Sequence, residues 1–259
     1  GIINHVLDYY CPENVQTINQ STNKPINQAM LKPNESKKIE IEVDSKTYQR
    51  FPVRTHVISD KDDIIKVIKR YTNEHLQKDD KIFISEKIVA ISQGRAFPID
   101  EINPSWWANT LSKFVHKSKY GIGLGSPWTM QLAIKEAGLA RMLFSAAISG
   151  ATKLFGFKGV FYKVVGKNIN AIDGPCDYTL PPYNKYAKLG PLKPDKVARK
   201  ISQAVGGNEI VIIDANDLGV EILGRSTSSI SRDFCKQVFR DNPLGQTTEQ
   251  TPVCIVRLK

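Results

Sequence analysis

The chain is poor in the residues from which the commonest catalytic and structural devices are built. Cysteine occurs four times in 259 residues, at Cys11, Cys176, Cys235 and Cys254, with no CxxC pair and no zinc-knuckle spacing. That scatter reads as reduced thiols in a cytoplasmic protein and argues against a disulfide framework. The four histidines, His5, His56, His75 and His116, are equally dispersed, so neither HExxH nor a zinc finger is present. A Cys–His nucleophilic pair would need the fold to join distant residues. No P-loop occurs, which sets aside the Walker-type ATPases.

Long apolar runs are missing too. The most apolar region is Leu139–Val165, and its longest uncharged part, Met142–Thr152, falls short of the ~20 residues a membrane span requires. It predicts a buried helix. The N-terminus lacks a basic segment followed by an apolar one, so no signal peptide is expected.

What the chain does have is positive charge and an ordinary core composition. A net charge of +10 and an isoelectric point near 9.3 imply anionic company: nucleic acid, an acidic membrane surface, or phosphate- and carboxylate-bearing substrates. No recognised nucleic-acid motif and no concentrated basic run accompany it, which places small anionic substrates ahead of nucleic acid or membrane.

Residues 1–50 are rich in Asn, Gln, Ser, Thr and Lys and read as a polar N-terminal extension or small subdomain, with Ile39–Val43 alternating like an exposed strand. The main domain is expected over residues 51–259. Its opening stretch, FPVRTHVIS, reads as a strand; Asp60 is a plausible N-cap for the helix DDIIKVIKRYTNEHL; and Lys81–Arg95 has strand character, which together predict a β-α-β unit. A helix is expected from Pro104 or Ser105, and another behind Ser126 as N-cap with Pro127 at its first position. The spacing Gly121, Gly123, Gly125 is a poor dinucleotide fingerprint, because no apolar strand precedes it. Lys158–Asp173 reads as a hairpin or strand pair, followed by a proline-punctuated loop over Gly174–Pro191. A helix from Pro194, a helix near Ser231–Phe239 and a closing strand Val253–Leu258 complete the pattern. The fold class is mixed α/β, with two intimately packed lobes expected.

One stretch organises the rest. Ile210–Ile213 is an uninterrupted run of branched apolar residues ending at Asp214, Asn216 and Asp217, the signature of a strand buried on both faces. Ligands gather outside the carboxyl ends of such strands, so these residues form a candidate metal or phosphate site, or else a plain turn. Asp173 also follows an apolar segment. If the two segments neighbour each other, both carboxylates can share Mg²⁺, a hard cation that requires oxygen ligands. Lys87, Arg95, Lys167, Lys185 and Lys188 are available to meet the phosphates of a nucleoside triphosphate.

SEKIVAISQGR, then NINAIDGPCDYTLPP, PDKVARKI and VIIDANDLG, resemble in order and spacing the γ-glutamyl ligase family of the deazaflavin coenzyme F-420. The resemblance runs from about Phe51 to Arg257 and leaves residues 1–50 outside. It implies an α/β fold forming an intertwined homodimer, and a ligase using GTP (or ATP) with Mg²⁺ (or Mn²⁺). In that chemistry a substrate carboxylate becomes an acyl phosphate, which the amine of glutamate or a similar amino acid displaces. Carried over by position, the resemblance implies that Asp173 and Asp214 are catalytic and bind the metal. Asn216 stands beside the second, and Ser85, Lys87, Gly94 and Arg95 lie near the nucleotide. The chain departs from the family where Gln93 replaces an acid, where Asp217-Leu218-Gly219-Val220 replaces a Gly-Arg pair, and in the compact DNPLGQTTEQTP. These departures point to an acceptor other than the deazaflavin coenzyme. The alternative is a non-catalytic nucleotide- or anion-binding protein on the same scaffold.

Overall fold

The computed structural model describes residues 31–115, 123–153, 159–166, 169–216, 219–245 and 247–259. Gly121, Lys158, Lys167 and Asp217, all weighed above, lie outside the described residues, as do residues 1–30. Leu31–Lys259 form one unit, so β1 (Glu40–Val43) and β2 (Lys46–Val53) are integral to the main body. The alternation read at Ile39–Val43 is real, but its inward members Ile41 and Val43 are buried in a core cluster. A boundary at residue 50 would cut β2 in two.

The other elements follow in chain order. They are α1 (Ile64–Thr72), β3 (Lys81–Ser85), α2 (Glu86–Ser92), β4 (Ala96–Pro98), α3 (Trp106–Leu111), α4 (Pro127–Ala137), α5 (Leu139–Lys153), α6 (Val160–Val165), β5 (Tyr186–Lys188), α7 (Pro194–Ala204), β6 (Glu209–Asn216), β7 (Gly219–Arg225), α8 (Arg232–Val238) and β8 (Val253–Leu258). Six strands make one sheet in the order β1-β2-β8-β3-β6-β7, and β4 pairs with β5 apart from it. Among the described residues only β3 and β6 are parallel neighbours. Because β2 and β3 are each antiparallel to β8, they run parallel with β8 between them, so the expected β-α-β unit is present in split form.

Alternation along the central strands sorts the core. Ile82, Ile84, Ile210, Ile212, Val253 and Ile255 face the layer that contains Ile64, Val67 and Ile68 of α1, Ile88 and Val89 of α2, and Ala198 and Ile201 of α7. Phe83, Val211, Ile213, Cys254 and Val256 face Cys235, Val238 and Phe239 on the α8 side. Each such branched side chain contributes about 2 kcal/mol by leaving water. A third cluster, built from α3, α4, the start of α5 and the β4–β5 pair, forms a second core beside the sheet. No helix among the described residues is long and apolar enough to cross a membrane.

Four local expectations change. Lys81–Arg95 is strand only as far as Ser85, whose hydroxyl accepts from the Lys87 amide and starts α2. The cap of α1 is Asp63, which accepts from the amides of Ile65 and Lys66; Asp60 is not the cap. Val160–Val165 is helical, so the β-branched content that suggested a hairpin loses to tertiary context. Finally, α5 is no buried helix: Met142 and Ser145 are buried while Phe144 is 62% exposed. Ser105 and Ser126 do cap α3 and α4, and α7 and β8 begin at the residues read from the sequence.

Candidate functional site

The parallel pair β3–β6 is in register from Lys81↔Glu209 to Ser85↔Ile213, so both strands deliver their carboxyl ends to one edge. The residues after β2 and those before β8 reach the same edge because β2 runs with β3 and β8 runs against it. A cavity of about 560 Å³ opens there, lined by Thr55–Ile58, Ser85–Ile88, Asn170–Asp173, Tyr178–Leu180, Tyr183, Lys188, Asp214–Asn216 and most of the segment Leu244–Pro252. This is the position at which open α/β sheets collect ligands.

Each charged side chain arrives by its own route. Regular alternation along β6 puts Asp214 on the face that carries Ile210 and Ile212, the side covered by α2. Lys87 sits in the first turn of α2. Asp173 follows a short 3₁₀ turn at Ile169–Ala171 and is fixed by a reciprocal backbone pair with Lys188, at 2.9 and 2.8 Å. The neighbouring strands imagined for Asp173 and Asp214 are therefore absent, yet both carboxylates line one cavity. Lys87 Nζ lies 3.4 Å from Asp173 Oδ2.

The electrostatics are those of an acid-rich pocket. Burial pushes the Asp214 carboxyl above its usual range, Lys87 partly offsets this, and the Asn216 side chain donates to it. Glu86, 6% exposed, is pushed up to about 8 by burial and then by Asp214. For Lys87 burial disfavours the charge, but Asp173, Glu86 and Asp214 outweigh it and hold its pKa above the ordinary lysine value. Burial holds Lys188 below its usual value, with Asp173 working the other way.

An oxygen-ligated divalent cation fits this donor set. The Asp214 carboxyl, raised by burial and by the neighbouring Asp173, would be relieved by a cation, and oxygens of Asp173, Asp214 and the Asn216 amide could serve as its hard ligands. Among the described residues no group of three or more His, Cys, Asp or Glu side chains is placed to hold a metal ion. Two carboxylates with water and phosphate oxygens completing the shell is the way Mg²⁺ is ordinarily bound.

Of the residues singled out from sequence, Ser85, Lys87, Asp173, Asp214 and Asn216 come together at the cavity, and Gly94 and Arg95 do not line it. Gly94 has φ +68° and turns the chain out of α2, while Arg95 donates to Gly190 O at 2.7 Å and pairs with Glu136 at 3.2 Å. Lys188 lines the cavity; Lys185 is exposed and does not. The helix start at Ser126 is closed by its own cap, the hydroxyl accepting from the Thr129 amide. Sequence reasoning passed over Glu86 and the wall formed by Thr247, Glu249 and Gln250. The acid beside Lys87 in SEK was the available signal for the first. The wall had none beyond its departure from the family pattern.

No curated protein matches the chain. The family model described as F420-0:gamma-glutamyl ligase matches residues 52–231, more than half of the chain. That span includes Glu86, Lys87, Asp173, Lys188 and Asp214 and leaves out β1, β8 and the wall at Leu244–Pro252 with its Glu249. With the parallel-strand edge and its carboxylates falling inside the matched span, the chain belongs to the F420-0:gamma-glutamyl ligase family.

Proposed function

We propose that the protein is a Mg²⁺-dependent, nucleotide-driven ligase that joins a substrate carboxylate to the amine of glutamate or a similar amino acid. The observation that carries this reading is the convergence of Lys87, Asp173 and Asp214, from three separated stretches, on one cavity outside the carboxyl ends of β3 and β6. A carboxylate is a poor electrophile until one oxygen becomes a leaving group, and phosphorylation by GTP or ATP achieves this. A bound divalent cation supplies charge stabilisation at the phosphate oxygens. Asp173 and Asp214 would hold it, and Lys87 places a fixed positive charge beside the transferring phosphoryl group. Tyr178, Thr179, Leu180 and Tyr183, from the proline-rich loop, wall the cavity and keep water from the acyl phosphate. The amine then attacks the acyl carbon, the amide forms, and phosphate leaves.

The test is phosphate release from GTP or ATP with Mg²⁺, L-glutamate and a panel of small carboxylates. Release that requires the metal, the amine and one carboxylate together, with the amide found by mass spectrometry, is the expected result. Release indifferent to amine and carboxylate would reject the reading.

A further inference from the structure

Two ionisable groups lining the cavity have no counter-ion in contact among the described residues. Lys188 is 2% exposed, and among the described residues its ammonium donates only to the carbonyl oxygens of Tyr183 at 3.3 Å and Tyr186 at 3.4 Å. Glu86 is 6% exposed, and its carboxyl is met by the Ser85 hydroxyl at 3.4 Å. Among the described residues neither takes part in an ion pair within 4.0 Å. Lys87 and Asp173 differ in having each other.

A buried ionisable group whose opposite charges act only from beyond contact, as Asp173 does on Lys188 and Lys87 on Glu86, is costly, and long hydrogen bonds to uncharged oxygens do not repay it. Such groups persist in a cavity when a ligand brings what is missing. Here each lacks a partner in contact, an anion for Lys188 and a cation for Glu86, in the same cavity. A free α-amino acid carries both, a carboxylate and an ammonium on one carbon. Resting on the ligase reading, we infer that Lys188 and Glu86 form the subsite of the amino-acid substrate, Lys188 receiving its carboxylate and Glu86 its ammonium.

The placement suits the reaction. Glu86 immediately precedes Lys87 and lies within the fields of Asp214 and Asp173, so the nitrogen is held at the phosphoryl-transfer end. Lys188 is anchored through its backbone to Asp173, which fixes the carboxylate end relative to the same centre. Neither side chain duplicates a role given to Asp173, Asp214 or Lys87.

Calorimetric titration of the full chain with L-glutamate, glutarate, which lacks the ammonium, and 4-aminobutyrate, which lacks the α-carboxylate, tests the subsite. Each analogue should bind the unmodified protein at least ~10-fold more weakly than L-glutamate, because a site built around a charged group rejects the ligand without it. Lys188→Met should weaken L-glutamate by a similar factor and leave 4-aminobutyrate unchanged. Glu86→Gln should weaken L-glutamate and leave glutarate unchanged. The analogue series needs no variant, so a folding defect in either substitution does not remove the test. L-glutamate binding no tighter than the analogues overturns the subsite, as does unaltered L-glutamate binding in a folded Lys188→Met chain. Titration with Mg²⁺ and GTP separates the two readings. The amino-acid pattern without nucleotide binding upholds the subsite and removes the ligase; nucleotide binding without the pattern removes the subsite and leaves the ligase.

Discussion

Glu86 has the most consequential environment of any single residue. Its carboxyl is pushed from 4.5 up to about 8 by burial and then by Asp214. Between those values the folded chain keeps a proton that the unfolded chain has released. Stability from this group is therefore fully present at low pH and is lost as pH rises from about 5 toward 8. Glu86→Gln cannot lose it. In buffer free of metal and amino acid the variant should gain on the unmodified protein across that interval, by on the order of 4 kcal/mol at the alkaline end. Paired thermal denaturation at several pH values checks this, and a difference constant with pH would refute it. The position could not be read from the sequence. In SEK the acid looks like a surface residue, and only the start of α2 at Glu86, with the segments Thr55–Ile58 and Asp173–Tyr183 around the cavity, makes it buried. Asp214 was legible for the opposite reason: four apolar residues pointed straight to it.

Elements with matched caps and periodicity were readable, and those that rely on neighbours were not. α7 and β8 carry their own boundaries, in a Pro at the helix start and in apolar residues that close the chain. Ile88–Ile91 and Val160–Val165 carry β-branched residues that favour strands, and become short helices, the first behind the Ser85 cap and packed into the sheet's core, the second with Val165 buried in the second core. The capping role of Ser126 predicts that Ser126→Ala lowers stability by about 1 kcal/mol, measurable by chemical denaturation. No loss would mean that another group satisfies the Thr129 amide. A larger effect is expected where α7 crosses β7. A Cβ on Gly224 would stand 2.5 Å from the Pro194 carbonyl carbon and 2.7 Å from the Asp195 amide nitrogen, both backbone atoms that cannot swing aside. Gly224→Ala should cost about 1–3 kcal/mol, the usual range for overpacking. A neutral result would show that α7 shifts freely on the sheet.

For the whole molecule, the sequence conveyed the class of fold and five of the residues that meet at the cavity, Ser85, Lys87, Asp173, Asp214 and Asn216, but not the assembly of its walls. Four of the chain segments at the cavity, those after β2, β3 and β6 and the one before β8, meet there because strand order inserts β8 between β2 and β3, and strand order is a long-range property no local pattern reveals. The same insertion brings Leu244–Pro252, outside the family match, against Thr55: Gln250 Nε2 donates to Thr55 O at 2.8 Å and the Thr55 amide donates to Gln250 O at 3.2 Å. The net charge of +10 agrees with anionic substrates, and the cavity concentrates acids as well as lysines, the combination that the proposed metal-assisted phosphate chemistry requires. Calorimetric titration of GTP and of ATP, each with and without Mg²⁺, into the unmodified chain and Asp214→Asn tests that claim most directly. Binding of at least one nucleotide that needs Mg²⁺ and falls by at least ~10-fold in a folded Asp214→Asn chain is the predicted result. Binding that is indifferent to Mg²⁺ and to Asp214 would contradict the account.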